Sequence, residues 1–313
     1  MTHFYRASNS AIIYRQQLKD LVENPDHIIT VRGRPTRELL NVVTEITSPR
    51  ARCQIVPGRK LSPWLMLSES LWLLAGRDDV AALEPYNKRI SEFSDNGRTL
   101  YGAYGKRIAD QIPNLLQRLI VEPNDRRAVL QIWREEDLTA ITLDPPCNDL
   151  AMFKLRDENL HMTVICRSND LHWGLHAVNL PQFSILLEYL AARLGVGVGT
   201  QTHLSQSLHI YTDVEGQKIT DRMLAAMDEP LQELRVNGLF PSPLPSHITH
   251  KEFAEVWCSA VLDGYGKQPR PFPFLEFVDD FLQAYREPDN KDPLRHAAAF
   301  SSWVRMAEEF WKK

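Results

Sequence analysis

Residues 63–76 read Pro-Trp-Leu-Met-Leu-Ser-Glu-Ser-Leu-Trp-Leu-Leu-Ala-Gly, a helical run that is apolar on nearly every side. A helix without a polar face offers nothing to water and persists only where other elements surround it. The run is too short to cross a bilayer, which takes about 20 apolar residues. It therefore predicts a central helix inside a folded core. Glu69 sits in the middle of it. Burial there disfavours the charged form, so this carboxyl is expected to titrate near neutral pH, where it suits general acid–base work.

The pattern around that helix alternates. Residues 8–22 read as an opening amphipathic helix, with Ile12, Ile13, Leu18, Leu21 and Val22 at helical spacings. Residues 38–48 and 127–133 read as strands, the second leading toward a cysteine loop. Residues 150–155 and 159–167 form two more strands, joined by the turn-forming Arg156-Asp157-Glu158-Asn159. Residues 180–194 carry Leu180, Phe183, Leu186, Leu187, Leu190 and Leu194 on one helical face. Periodicity thus supports an α/β (α+β) chain. Its 313 residues are enough for one large domain or two modest ones. Beyond residue 215 the character changes: Pro-Ser-Pro-Leu-Pro (241–245) and Pro-Arg-Pro-Phe-Pro (269–273) punctuate helical stretches at 250–263, 274–286 and 293–312. A division into 1–215 and a helical region 216–313 packed on that core is expected.

Composition excludes several classes. A net charge of −4 and a pI of about 6.2 leave no global basic field for nucleic acid. The four cysteines (Cys53, Cys147, Cys166 and Cys258) form no CxxC pair, which argues against a zinc site or a disulfide framework and fits a reducing compartment. No apolar window approaches about 18 residues and the N-terminus lacks an apolar signal core, so a cytoplasmic protein without membrane contact is expected.

The chemistry concentrates in Asp144-Pro145-Pro146-Cys147 and Cys166-Arg167-Ser168-Asn169-Asp170. Two prolines fix two φ angles ahead of the cysteine and remove two N–H donors, so its sulfur is aimed. Arg167 and Ser168 supply a guanidinium fork and a hydroxyl, the groups that grip phosphate. A small buried cysteine would look the same by itself. In combination, the pattern points to a thiol attacking a substrate anchored by its phosphate. A cysteine hydrolase finds no His-Asn partner pattern.

Cys147, Arg167, Ser168, Asp170, Gly174, Asn179, His209 and Tyr211 fall in the order and nearly the spacing of the folate-dependent thymidylate synthase family. Glu69-Ser70-Leu71-Trp72 resembles that family's Glu-x-x-Trp helix, and Tyr101-Gly102-Ala103-Tyr104-Gly105 its Tyr-Gly segment. The likeness runs over residues 30–215. It implies a large mixed sheet with helices on one face and a homodimer joined sheet to sheet. It implies one-carbon transfer from 5,10-methylenetetrahydrofolate to carbon 5 of a pyrimidine nucleoside 5′-monophosphate, with no metal. Cys147 would add to carbon 6 and make carbon 5 nucleophilic, and Arg167 would help ionise the thiol. Glu69 and Tyr104 would manage protons. Arg167 and Ser168 would hold the phosphate, with Arg126 and Arg127 donated by the other subunit and Arg32 from a loop, Arg34 being its equal rival. Asn179 would pair with the base, His209 and Tyr211 would reach the sugar, and Asp170, Gly174 and Phe93 would contact the folate.

Three departures stand out. Asn148 follows the nucleophile where thymidylate synthases carry His, only Phe93 remains of the Trp pair beside the folate, and the apolar closing peptide at the C-terminus is missing. A wetter pocket lets water rather than hydride reach the exocyclic methylene. The expectation therefore leans toward hydroxymethylation, as in enzymes acting on dUMP, dCMP or CMP. Methylation of dUMP to dTMP and a non-catalytic nucleotide-binding relative are the alternatives.

Overall fold

The fold is given by a computed structural model that describes residues 2–232, 238–240, 243–244, 248–263, 273–286 and 301–311. The chain runs β1 (His3–Ala7), α1 (Ser10–Glu23), β2 (His27–Val31), β3 (Arg34–Ile46) and α2 (Pro63–Leu74). Next come α3 (Tyr104–Ile108), α4 (Ile112–Val121), β4 (Val129–Gln131), β5 (Asn148–Arg156), β6 (Asn159–Cys166) and β7 (Asn169–Asp170). A π-helical segment, Leu171–Asn179, runs into α5 (Leu180–Leu194), followed by β8 (Gly197–Tyr211) and α6 (Val214–Ala225). The last described elements are α7 (Ser259–Leu262), α8 (Pro273–Arg286) and α9 (Ser301–Trp311). Of the expected final helix, residues 293–300 and 312 lie outside the described residues.

The eight strands form one mixed sheet in the order β1-β3-β8-β6-β5-β4, with β2 added on β3 and β7 on β8. Strand β8 is its spine, antiparallel to β3 and parallel to β6. The strand expected at 38–48 starts earlier, at Arg34, because Arg32 and Gly33 take positive φ (51° and 76°) and close a two-residue hairpin with β2. Most of β8 escaped the sequence reading. Its Gly, Thr, Gln, His and Ser residues do not alternate in hydropathy, yet Gln201, His203 and Ser205 are buried against the helical layer.

Every residue of α2 from Pro63 to Leu74 is buried, as its composition requires. On one side α2 meets α5, and on another α7, α8 and α9. Trp64 stacks on Phe281 (5.3 Å between centroids), meets Tyr285 and Phe310, and donates its indole N–H to the Phe281 carbonyl (3.0 Å). The C-terminal helices thereby brace the back of the helix that carries Glu69. On the near side Gly105 of α3 lies so close that a Cβ would fall 2.3 Å from the Leu73 carbonyl oxygen. Gly105→Ala is expected to lower unfolding free energy by about 3 kcal/mol in a urea titration, since backbone rather than a flexible side chain must yield.

Candidate active site

The loop before β5 is aimed as its prolines suggest, and one arginine completes the brace. Arg167, at the end of β6, donates its backbone N–H to the Cys147 carbonyl (3.0 Å). Its Nε donates to the Pro146 carbonyl (2.9 Å) and a terminal N–H to that of Pro145 (3.3 Å). Trp133 lies under the guanidinium, 5.1 Å away. The sulfur of Cys147, half-buried, faces a cavity of about 320 Å³. That cavity gathers Glu69 from α2, Tyr104 from α3, Ser168, Asp170, Gly174 and Asn179 around β7 and the π-helical turn, and His209 and Tyr211 from β8.

Behind these lies a chain of buried amides. The Asn148 Nδ2 donates to Asn179 Oδ1 (3.2 Å), the Asn179 Nδ2 to Asn169 Oδ1 (3.2 Å), and the Asn169 Nδ2 to Ser205 Oγ (3.1 Å). Asn179 therefore keeps one N–H and one lone pair for a ligand, because each amide atom already has a partner. Asn148 Oδ1 has no partner among the described residues. Gly174 makes the chain possible, since a Cβ there would sit 2.7 Å from Asn169 Oδ1.

Burial sets the charges. Glu69 is pushed up to about 8, first by desolvation and then by the nearby Asp144, in line with the expectation for α2. Asp144, whose Oδ2 accepts from the Gly102 N–H (2.8 Å), is pushed up to about 6 by burial. The Tyr104 hydroxyl is held far above its usual range, chiefly by desolvation. At Cys147 two effects oppose each other. Arg167 and Arg32 do favour the thiolate, but burial outweighs them and the thiol rises above its ordinary value. The Arg167 N–H groups face the prolyl carbonyls, so the guanidinium acts first as a loop brace.

The hairpin sets Arg32 and Arg34 in different surroundings. Both are exposed: Arg34 is paired with Asp213 (2.6 Å) and stacked on Tyr211 (3.5 Å), and Arg32 stands at the turn within electrostatic reach of the Cys147 thiol. Arg126 and Arg127 are not among the residues lining the cavity; Arg127 is held by Asp125 (2.9 Å) at the start of β4. Asp170 caps the π-helical turn, accepting from His172 and Trp173 N–H groups (2.7 and 2.9 Å). It also lines an adjoining cavity of about 700 Å³ with Phe93, Trp173, Val178 and Ile219. Trp173, 52% exposed with Arg59 4.7 Å over its ring, gives Phe93 an aromatic companion that sequence reasoning missed. Asn169, Gln182 and Asp144, which also line the Cys147 cavity, were given no role by the sequence. Their side chains acquire meaning only from what the fold sets beside them. Among the described residues no cluster of His, Cys, Asp and Glu could hold a metal, and no helix is long and apolar enough to cross a membrane.

A thiol on a braced loop and a protonatable carboxyl on a buried helix thus share one cavity of an α/β fold with a mixed sheet. The sequence model of the thymidylate synthase family matches residues 12–255, and the chain belongs to that family. It is 36% identical over 234 residues to the deoxyuridylate hydroxymethyltransferase of Bacillus phage SP01, covering 69% of this chain and 61% of that relative. With the enzyme of the same name from Pseudomonas phage M6 it shares 39% over 180 residues, 55% of this chain and 51% of the relative. The chain thus spans about half to six-tenths of the length of these two relatives. Thymidylate synthase from T4 phage has a similar fold, with a TM-score of 0.55 at 23% identity over 65% of this chain and 78% of that one.

Proposed function

We propose that the chain transfers a one-carbon unit from 5,10-methylenetetrahydrofolate to carbon 5 of a pyrimidine nucleoside 5′-monophosphate and releases a hydroxymethyl product, deoxyuridylate being the favoured substrate. The observation that carries this reading is the convergence of Cys147, Glu69, Ser168, Asn179, His209 and Tyr211 on one cavity from separate elements. In this reading Cys147 adds to carbon 6, and covalent catalysis divides one hard step into easier ones. Glu69, protonated at neutral pH, serves ring oxygen and nitrogen as donor, with Tyr104 handling the carbon-5 proton through water. Arg32, Arg167 and Ser168 hold the phosphate, joined by Arg126 and Arg127 from a second copy in a homodimer. Asn179, backed by Asn148, pairs with the base, and His209 and Tyr211 take the sugar. Asp170, Gly174 and Phe93 face the folate, which supplies the methylene carbon; the aromatic and apolar lining of the adjoining cavity suits its flat ring.

Hydroxymethylation is favoured over methylation because water can enter. Phe93 and Trp173 are 46% and 52% exposed, and no described residue of α7, α8 or α9 lines either cavity. Apart from Gly216 and Ile219, which line the larger cavity, the region 216–313 is read as a brace on the core of 1–215 rather than a closing tail. The names of the two phage relatives point the same way. Incubation with methylenetetrahydrofolate and each pyrimidine monophosphate should give a hydroxymethylated product with tetrahydrofolate unoxidised. A methylated product with dihydrofolate accumulating would overturn the reading in favour of a synthase.

A further inference from the structure

Three carboxylates line the Cys147 cavity, and Asp144 alone among them has no part in the chemistry above. Resting on the hydroxymethylation reading, we propose that Asp144 is a further catalytic residue, the general base that takes a proton from the water adding to the exocyclic methylene.

The position argues for it. Asp144 stands three residues ahead of Cys147 on the loop stiffened by Pro145 and Pro146 and braced by Arg167, so carboxylate and sulfur keep a set separation. The Gly102 N–H holds Oδ2 at 2.8 Å and fixes the plane of the carboxylate. Oδ1 has no partner among the described residues, which leaves a bare acceptor in a group that lines the cavity with Cys147, Glu69 and Tyr104. Carbon 6, which carries the sulfur, is bonded to carbon 5, which carries the methylene. A base held beside the sulfur is therefore held near the carbon that water attacks.

Electrostatics divides the labour between the two acids. Asp144 is flanked by Glu69 of α2, Tyr104 and Arg107 of α3, Asp95 and Cys147. Desolvation lifts it to about 6, while Arg107 pulls it down and Asp95 pushes it up. Glu69 lies near 8. At neutral pH one carboxyl is an ionised acceptor and its neighbour a protonated donor, the separation that acid–base pairs exploit.

The step balances without a redox partner. The water oxygen bonds to the methylene carbon as its proton passes to Asp144, and the methylene π pair moves into the ring as an enolate. The enolate expels Cys147 as thiolate, restoring the carbon 5–carbon 6 double bond, and the thiolate recovers the proton from Asp144.

The test uses the full chain with methylenetetrahydrofolate and nucleotide tritiated at carbon 5, comparing tritium release, which precedes water addition, with hydroxymethyl product. Asp144→Asn preserves an acceptor for the Gly102 N–H. It is expected to lower product formation about 100-fold while tritium release falls at least tenfold less, and added 2-mercaptoethanol should capture the stranded methylene. Asp144→Glu should recover part of the product rate and supplies the comparison if the Asn variant does not fold. A parallel fall in both readouts, or no fall in either, would overturn the assignment and leave the parent reading intact. Wild type releasing no tritium from any pyrimidine monophosphate would instead overturn the parent reading and the assignment with it.

Discussion

Cys147→Ser is expected to abolish turnover, lowering kcat by about ten-thousandfold or more, because a hydroxyl at this position lacks both the acidity and the nucleophilicity of sulfur. The loss should belong to chemistry alone. The loop is held through backbone carbonyls of Pro145, Pro146 and Cys147, none of which the substitution touches. The variant should melt within about 3 °C of wild type and bind nucleotide with little change. Mass spectrometry of the denatured protein supplies a second reading: a nucleotide adduct on wild type should be missing from the serine variant. Activity retained within tenfold would remove the covalent mechanism and favour a binding protein.

Glu69→Gln carries the second large effect, on activity and on the pH dependence of stability. Loss of the proton donor should lower kcat by about 10²–10⁴. For stability the sign follows from where protons sit. The unfolded chain releases this proton near 4.5, and the folded chain keeps it until about 8. Between those values the folded state holds the extra proton, so wild-type stability falls as pH rises through the window, by about 1.4 kcal/mol for each unit crossed. Below the window the group contributes no slope. Glutamine has no proton to lose, so the variant should be more stable than wild type by roughly 2–4 kcal/mol at about pH 7.5 and nearly level with it at about pH 5. Urea midpoints at the two pH values decide the matter. Parallel curves would mean that Glu69 is already ionised in the fold.

The effects also separate what could be read from the chain and what could not. Helix α2 was legible because an all-round apolar run admits one kind of environment, and the elevated titration of Glu69 followed from that environment. The thiol and its guanidinium were legible as a motif, but the direction in which Arg167 acts was not. Its bonds to two prolyl carbonyls join residues more than 20 positions apart. The amide chain was hidden for a similar reason, since Asn169 meets Ser205 across 36 positions and a strand whose polar residues carry no alternation. Trp173 carries no motif in the sequence; the π-helical turn places it on the wall of the cavity that Phe93 also lines.

Residue identity alone determined that this chain has a buried helix with one carboxyl, a proline-aimed thiol and the succession of polar residues that marks its family. Those are properties of composition and order, which local sterics and hydropathy turn into structure without knowledge of distant partners. Tertiary structure decided the rest: the titration of Asp144 and Cys147, the pairing of Arg34 with Asp213, and the openness of the cleft. Each depends on which groups packing brings within a few ångströms and how much water it removes, and neither is written in any one segment.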